Sequence, residues 1–235
     1  MTSQADKFAA LLRSDEMIVA PGAYDCITAR MVDQAGYAAC YMTGAGVAAI
    51  QIEDQTFPKR CGHLDNKEVM PLDELLPKIR AAASARVNPN FTIIARTDAR
   101  AMLGFEEAVR RANAMLEAGA DVAFVEAPQT VEEVRAVPKL VKGPCLLNMV
   151  WKGKTPEISI ADAQAMGFRI MIFPGLLFKA AIGASDEALA ELRKQGRHPA
   201  PHGDLTIKAA FARVGADEWE PLRERFRDPS LKLAG

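Results

Sequence analysis

Cysteine is scarce and dispersed in this chain of 235 residues. Cys26, Cys40, Cys61 and Cys145 are far apart, and no two form a CxxC pair. That spacing argues against a disulfide framework or a structural zinc site and makes a reducing compartment the expectation. An excess of one charge is also missing. With 29 Lys+Arg against 30 Asp+Glu the net charge is −1, which offers nucleic acid no basic field and a membrane surface no basic amphipathic stretch. No apolar run approaches the ~20 residues that a spanning helix needs. The opening Met1-Thr2-Ser3-Gln4-Ala5-Asp6-Lys7 lacks the basic end and apolar core of a secretory signal. The expectation is a cytoplasmic protein with neither nucleic acid nor membrane as a partner.

What is present is an ordinary globular composition, 49% apolar and 25% charged. Seven short apolar runs read as strands: residues 17–20, 38–42, 48–52, 91–95, 122–125, 145–150 and 168–173. None alternates with period two, as expected of parallel strands buried on both faces. Amphipathic patterns lie between most of them. Leu72, Leu75, Leu76, Ile79 and Ala82 form one apolar stripe, and Phe105, Ala108, Ala112 and Met115 repeat it. Thr130 with Glu133 reads as a capping box, and Ser159 with Asp162 as a second helix start. Gly119 and Gly167 fall where helices should stop. Repeated βα units predict an α/β fold, a (β/α) TIM-type barrel. After Gly175 three helices are predicted, over 176–182, 186–193 and 205–213, with no further strand. The predicted division is a barrel domain over 1–183 and a C-terminal helical extension over 184–235.

The rhythm breaks once. Runs 38–42 and 48–52 are separated only by Thr43-Gly44-Ala45-Gly46-Val47. A parallel crossover needs a dozen or more residues, so five cannot provide it. Either the runs form a hairpin, or they are one bent strand, or a piece that separates them is absent. Seven strands where a barrel wants eight favour the third reading.

Polar residues cluster just past the ends of the strand runs: Thr43-Gly44, Glu53-Asp54, Arg96-Thr97-Asp98, Glu126 and Asn148. In a barrel these ends converge on one face. A single charge there is explained as a cap or an ion pair; several at equivalent positions point to a site. Lys59-Arg60-Cys61-Gly62-His63 forms a second cluster. Cys40 and Cys145 lie inside apolar runs, as structural cysteines do. Cys61 instead stands between cations and a histidine, an environment that favours a reactive sulfur. Spacing alone does not tell a nucleophile from a proton donor, and Lys59 or Arg60 taken singly reads as solvated surface charge.

Taken in order, Pro21-Gly22-Ala23-Tyr24-Asp25, Tyr41-Met42-Thr43-Gly44, Ile52-Glu53-Asp54-Gln55, Lys59-Arg60-Cys61-Gly62-His63, Ile94-Ala95-Arg96-Thr97-Asp98-Ala99 and Asn148-Met149 with Thr155-Pro156 resemble the isocitrate lyase/phosphoenolpyruvate mutase superfamily. The cysteine loop is similar to that of its C–C lyase branch, which includes methylisocitrate and dimethylmalate lyases. The resemblance implies an α/β barrel in a homo-oligomer, tetramer or dimer, whose last barrel helix is exchanged between subunits. It also implies Mg²⁺ (or Mn²⁺) and a small carboxylate substrate. Cys61 matches the catalytic acid and Arg96 the arginine on a substrate oxygen, with Lys59 as their catalytic partner. Tyr41, Thr43, Gly44, Ala45, His63, Glu126 and Asn148 match the substrate pocket, and Glu53 a carboxylate that reaches the metal through water. The family's D-x-D-T-G-x-G strand end, which supplies the principal magnesium ligand, has no counterpart between Thr43 and Glu53. By the resemblance about two βα units, ~30 residues each, are absent there; counted by strand runs, the barrel lacks about one strand and two helices after the second strand.

The implied activity is Mg²⁺-dependent C–C cleavage of a 2-hydroxy di- or tricarboxylate, releasing pyruvate or glyoxylate through an enolate, impaired by the missing ligands. An oxaloacetate decarboxylase, a carboxyphosphonoenolpyruvate phosphonomutase-like enzyme and a catalytically silent barrel subunit are the alternatives.

Overall fold

The computed structural model describes residues 3–23, 25–41, 48–64, 66–201, 203 and 205–226. Six strands carry the fold: β1 (Ile18–Pro21), β2 (Ala49–Glu53), β3 (Thr92–Thr97), β4 (Val122–Val125), β5 (Cys145–Asn148) and β6 (Ile170–Phe173). All neighbours are parallel, in the order β1-β6-β5-β4-β3-β2. Ten helices are described: α1 (Gln4–Arg13), α2 (Cys26–Gln34), α3 (Leu72–Ala85), α4 (Arg100–Leu103), α5 (Phe105–Glu117), α6 (Val131–Leu140), α7 (Ile160–Met166), α8 (Leu176–Gln195), α9 (Ile207–Arg213) and α10 (Ala216–Arg225).

Alternate residues of each central strand enter different cores, which is why the runs are apolar throughout. Ile94, Val122, Phe124, Leu146, Ile170 and Ile172 share one face with Ile18 and Ala20, and α1 packs Phe8, Leu11 and Leu12 against it. Ala123, Val125, Cys145, Leu147 and Met171 meet Ala108, Ala112, Val134, Val137 and Ala163 of the helices on the other face. Leu75 and Ile79 of the first predicted stripe, and Ala108, Ala112 and Met115 of the second, are fully buried. The predicted starts hold too: Thr130 Oγ1 accepts from Glu133 N–H, and Ser159 Oγ from Asp162 N–H. Gly167 ends α7 at φ 103°, a left-handed conformation that costs glycine least.

The sheet is a curled, incomplete barrel. Of the run at 38–42, the described part contributes a single parallel bridge, Tyr41 to Gly22, and no strand. The Tyr41 amide donates to Pro21 O and its carbonyl accepts from Ala23 N–H; with no ladder on its other side the pairing does not extend. Among the described residues nothing pairs with β2 on the side of this segment. Ala20, Ile172, Ile170, Leu146, Ile94, Gln51 and Tyr41 all line one cavity of about 920 Å³, so the two sheet edges face each other across it. The missing strand of the sequence argument corresponds to this seam.

Two helical expectations change. The stretches at 176–182 and 186–193 are one continuous α8, because Gly183 costs a helix only ~1 kcal/mol and meets no competing contact. A tenth helix, α10, follows Gly215, where Trp219 and Leu222 gave too short an apolar pattern to stand out. Among the described residues no helix is long and apolar enough to cross a membrane.

Candidate active site

The carboxyl ends of β2 to β5 deliver four polar side chains to one place. Register sets Glu53 opposite Arg96, and Arg96 opposite Phe124, whose ring centroid lies 5.1 Å from the guanidinium carbon. Asp98 clamps Arg96 through two bonds, Nε to Oδ2 at 2.7 Å and Nη2 to Oδ1 at 2.9 Å. Glu126 Oε2 lies 3.4 Å from Nη1 and Glu53 Oε2 3.7 Å from Nε. Burial works against the Arg96 charge, but the Asp98 hydrogen bond and the carboxylates of Glu126, Asp98 and Glu53 outweigh it, holding its pKa above the ordinary arginine range.

Behind this layer stands Asp54, fully buried. Its oxygens accept from Thr97 Oγ1 at 2.6 Å, from the Asp98 amide at 2.8 Å and from Arg111 Nη1 at 3.2 Å. Burial pushes the Asp54 carboxyl above its usual range, and the bonds from Thr97 and Asp98, with Arg111, pull against that. Asp54 therefore holds the turn after β3 and takes no free place in the pocket.

The loop 59–63 folds over the arginine. Gln55 grips its start reciprocally, Nε2 donating to Arg60 O and Oε1 accepting from Arg60 N–H, both at 2.9 Å. Gly62 is obligatory: a β-carbon there would sit 2.5 Å from Arg96 Nη2 and press into Glu126 Cγ. His63 Nδ1 accepts from the Lys154 amide at 2.9 Å, so its proton sits on Nε2, which faces Glu126 Oε1 at 3.1 Å. Asn148 Nδ2 donates to both Glu126 oxygens, at 3.2 and 3.3 Å. Lys59 reaches back to Glu53 Oε2 at 2.9 Å. Cys61 is exposed at the crest of the loop, whereas Cys145 is a core thiol pushed up to about 12 by burial. Cys40, expected inside the core with Cys145, is exposed, since the sheet edge around it is uncovered.

Tyr41 lines the barrel cavity with Glu53, Gln51 and Lys59. Burial raises its hydroxyl pKa, Arg96 lowers it, and Glu126 and Glu53 raise it again. Thr43, Gly44 and Ala45 lie outside the described residues. The structure thus brings Tyr41, Glu53, Lys59, Cys61, His63, Arg96, Glu126 and Asn148 into one region. Three buried polar atoms of these residues have no hydrogen-bond partner, Glu53 Oε1, His63 Nε2 and Asn148 Oδ1, and Thr155 Oγ1 is in the same state. Gln55 and Asp98, which stood in the sequence motifs without an assigned role, support the site, as do Lys67 and Arg111, which were not singled out from sequence. Arg111 left a signal, a charge inside the apolar stripe of α5; Lys67 left none.

Metal ligands are few. Among the described residues no group of three or more His, Cys, Asp or Glu could hold a metal ion. Asp54, Asp98 and Glu126 are engaged by cations and amides, which leaves one buried carboxylate oxygen free, Glu53 Oε1. Mg²⁺ takes oxygen ligands in octahedral geometry and keeps waters, but one carboxylate oxygen is a poor anchor. The described residues do not fit a tight magnesium site.

Comparison with known proteins agrees with this geometry. The family described as Phosphoenolpyruvate phosphomutase matches residues 41–193. A 2,3-dimethylmalate lyase from Eubacterium barkeri is 34% identical, covering 80% of this chain and 84% of its own. That alignment runs over 247 positions, while 80% of 235 residues is about 188, so about 59 positions of the relative have no counterpart here. The solved oxaloacetate acetylhydrolase in complex with 3,3-difluorooxalacetate superposes at a TM-score of 0.91 with 32% identity, covering 97% of this chain and 99% of that one. Phosphonopyruvate hydrolase, solved with oxalate and Mg²⁺, does so at 0.82 with 26% identity, covering 96% and 99%. With its sequence motifs, its strand-end site and its interrupted barrel accounted for, the chain belongs to the phosphoenolpyruvate mutase/isocitrate lyase superfamily.

Proposed function

We propose that this chain is a C–C bond lyase of small 2-hydroxy di- or tricarboxylates, releasing pyruvate or glyoxylate, with turnover reduced by its shortage of metal ligands. The observation that carries the reading is the packing of Gly62, the residue after Cys61, against Arg96 and Glu126. Arg96 binds the oxygen that becomes the product carbonyl and stabilises charge developing on it. Asn148 Oδ1 and Thr155 Oγ1 are open to substrate groups. Glu53 Oε1, a buried oxygen without a partner, takes the proton of the substrate hydroxyl, and solvent returns it to the Cys61 thiolate after cleavage. As the C–C bond breaks, its electron pair passes to the departing enolate, which takes a proton from the Cys61 thiol. Lys59, tied to Glu53, keeps the loop end in place.

Phosphonopyruvate hydrolase is solved with oxalate and Mg²⁺, and such an ion, where bound, would supply Lewis-acid polarisation. The donor set of the described residues does not fit that role. At a Mg²⁺ concentration equal to its Kd a bound ion stabilises by only ~0.4 kcal/mol, against ~2.7 at a hundredfold excess. The first, barely detectable shift is expected in a millimolar titration.

A 20-residue α8 without one buried residue, exposing Leu176, Phe178, Ile182 and Leu189, supports a homo-oligomer in which a second copy covers it. The shortage of carboxylates favours a second reading, a carboxylate-binding subunit without turnover.

The test is release of pyruvate or glyoxylate by the full chain over a panel of 2-hydroxy acids with Mg²⁺. Slow cleavage, well below ~10 s⁻¹, abolished by Cys61→Ser, is the expected result. Activity that survives Cys61→Ser indicates the decarboxylase or phosphonomutase chemistry, and no release with retained carboxylate binding indicates the silent subunit.

A further inference from the structure

Lys67 is buried, its side chain 1% exposed, and neither the sequence motifs nor the substrate pocket accounts for it. Its ammonium donates to the Gly62 carbonyl and lies 3.7 Å from Asp98 Oδ1. Cys61 is therefore gripped on both flanks, by Gln55 through the Arg60 backbone and by Lys67 through Gly62. Between them the Leu64 amide closes the turn onto the Cys61 carbonyl at 2.9 Å. The same Asp98 that holds Lys67 clamps Arg96. An exposed turn of this kind is otherwise mobile, and a displacement near 1 Å at a reacting group costs up to ~100-fold in rate.

We propose that Lys67 is a positioning residue for the Cys61 turn, joining it through Asp98 to Arg96 so that the sulfur and the guanidinium keep one spacing. The ammonium is suited to this because its donors serve a carbonyl and a carboxylate at once, and burial in low dielectric keeps both contacts strong. The inference rests on Cys61 as proton donor only for its effect on turnover; the tether itself is read without turnover.

The test compares the full chain with Lys67→Met and Lys67→Arg by amide hydrogen exchange and steady-state kinetics. In Lys67→Met, exchange over residues 59–64 rises at least tenfold while β3 and β4 keep their protection; kcat falls at least tenfold with KM within threefold. Lys67→Arg keeps the charge but not the single-point contact, and shows the same local loosening to a smaller degree. Unchanged exchange over 59–64 in a folded variant overturns the proposal. So does loosening that spreads equally through β3 and β4, which makes Lys67 a general stabiliser. Should Lys67→Met fail to fold, Lys67→Arg decides by the same local criterion. A chain without turnover refutes the lyase reading, while exchange still decides the tether.

Discussion

Tyr41 Oη lies 3.5 Å from Gln51 Oε1, and this contact crosses the open seam of the barrel. The two residues stand on opposite sheet edges, Tyr41 beside β1 and Gln51 on β2, which pairs only with β3.

An edge strand with Ile50 36% exposed is a template for pairing with another chain. Amide exchange in β2 is expected to be at least 100-fold faster than in β3, whose six residues are all buried. Ile50→Lys should lower concentration-dependent association in sedimentation without lowering the melting temperature by more than a few degrees. Equal protection of both strands would refute the open seam.

Gly62→Ala tests the close approach of the cysteine loop. The added methyl must push the loop away from Arg96 and Glu126, so kcat/KM should fall at least tenfold, a loss of ~1.4 kcal/mol of transition-state stabilisation. The melting temperature is expected to fall by a few degrees as well, since Gly62 is buried and its carbonyl is held by Lys67. An unchanged rate would show that Cys61 does not act from the position described.

Arg111→Ala leaves Asp54 buried beside Thr97 without its cation. Breaking a buried pair by removing one partner costs ~3–5 kcal/mol, and urea unfolding is expected to show a loss of that order. The double variant Arg111→Met with Asp54→Asn should recover part of it, because the unpaired charge is gone.

Asp6 caps α1 from within its first turn, and hydrogen bonds from Ser3 and then Asn90 hold its carboxyl down at about 2, against 3.8 ordinarily. A depressed folded-state pKa gives stability that is full above pH 3.8 and is lost as pH falls toward 2. The wild type should therefore melt higher than Asp6→Asn at pH 6, and the difference should close between pH 4 and pH 2. A gap that widened on acidification would contradict the assignment.

Much of the fold was legible because its causes are local. The apolar runs at 122–125, 145–150 and 168–173 mark strands buried on both faces, observed over Val122–Val125, Cys145–Asn148 and Ile170–Phe173, and Ser159, Thr130 and Gly167 mark helix ends by capping chemistry that acts within a turn. The clustering of Glu53, Arg96, Glu126 and Asn148 followed from strand polarity alone, since parallel strands present equivalent ends on one side. Lys67 escaped notice, and Gln55 stood in a motif without a role, because their partners are fixed by how one loop folds, which no periodicity encodes.

From its residues alone the chain committed itself to parallel βα units, to a strand-end cluster of acids around Arg96 and to an interruption before Ala48, because backbone geometry and side-chain type act over short separations. Which carboxylates remain free was decided only in three dimensions. Asp54, Glu126 and Asp98 are spent on Arg111, Asn148, Lys67 and Arg96, and Glu53 keeps one open oxygen, because a buried charge binds whichever partner the packing brings within reach.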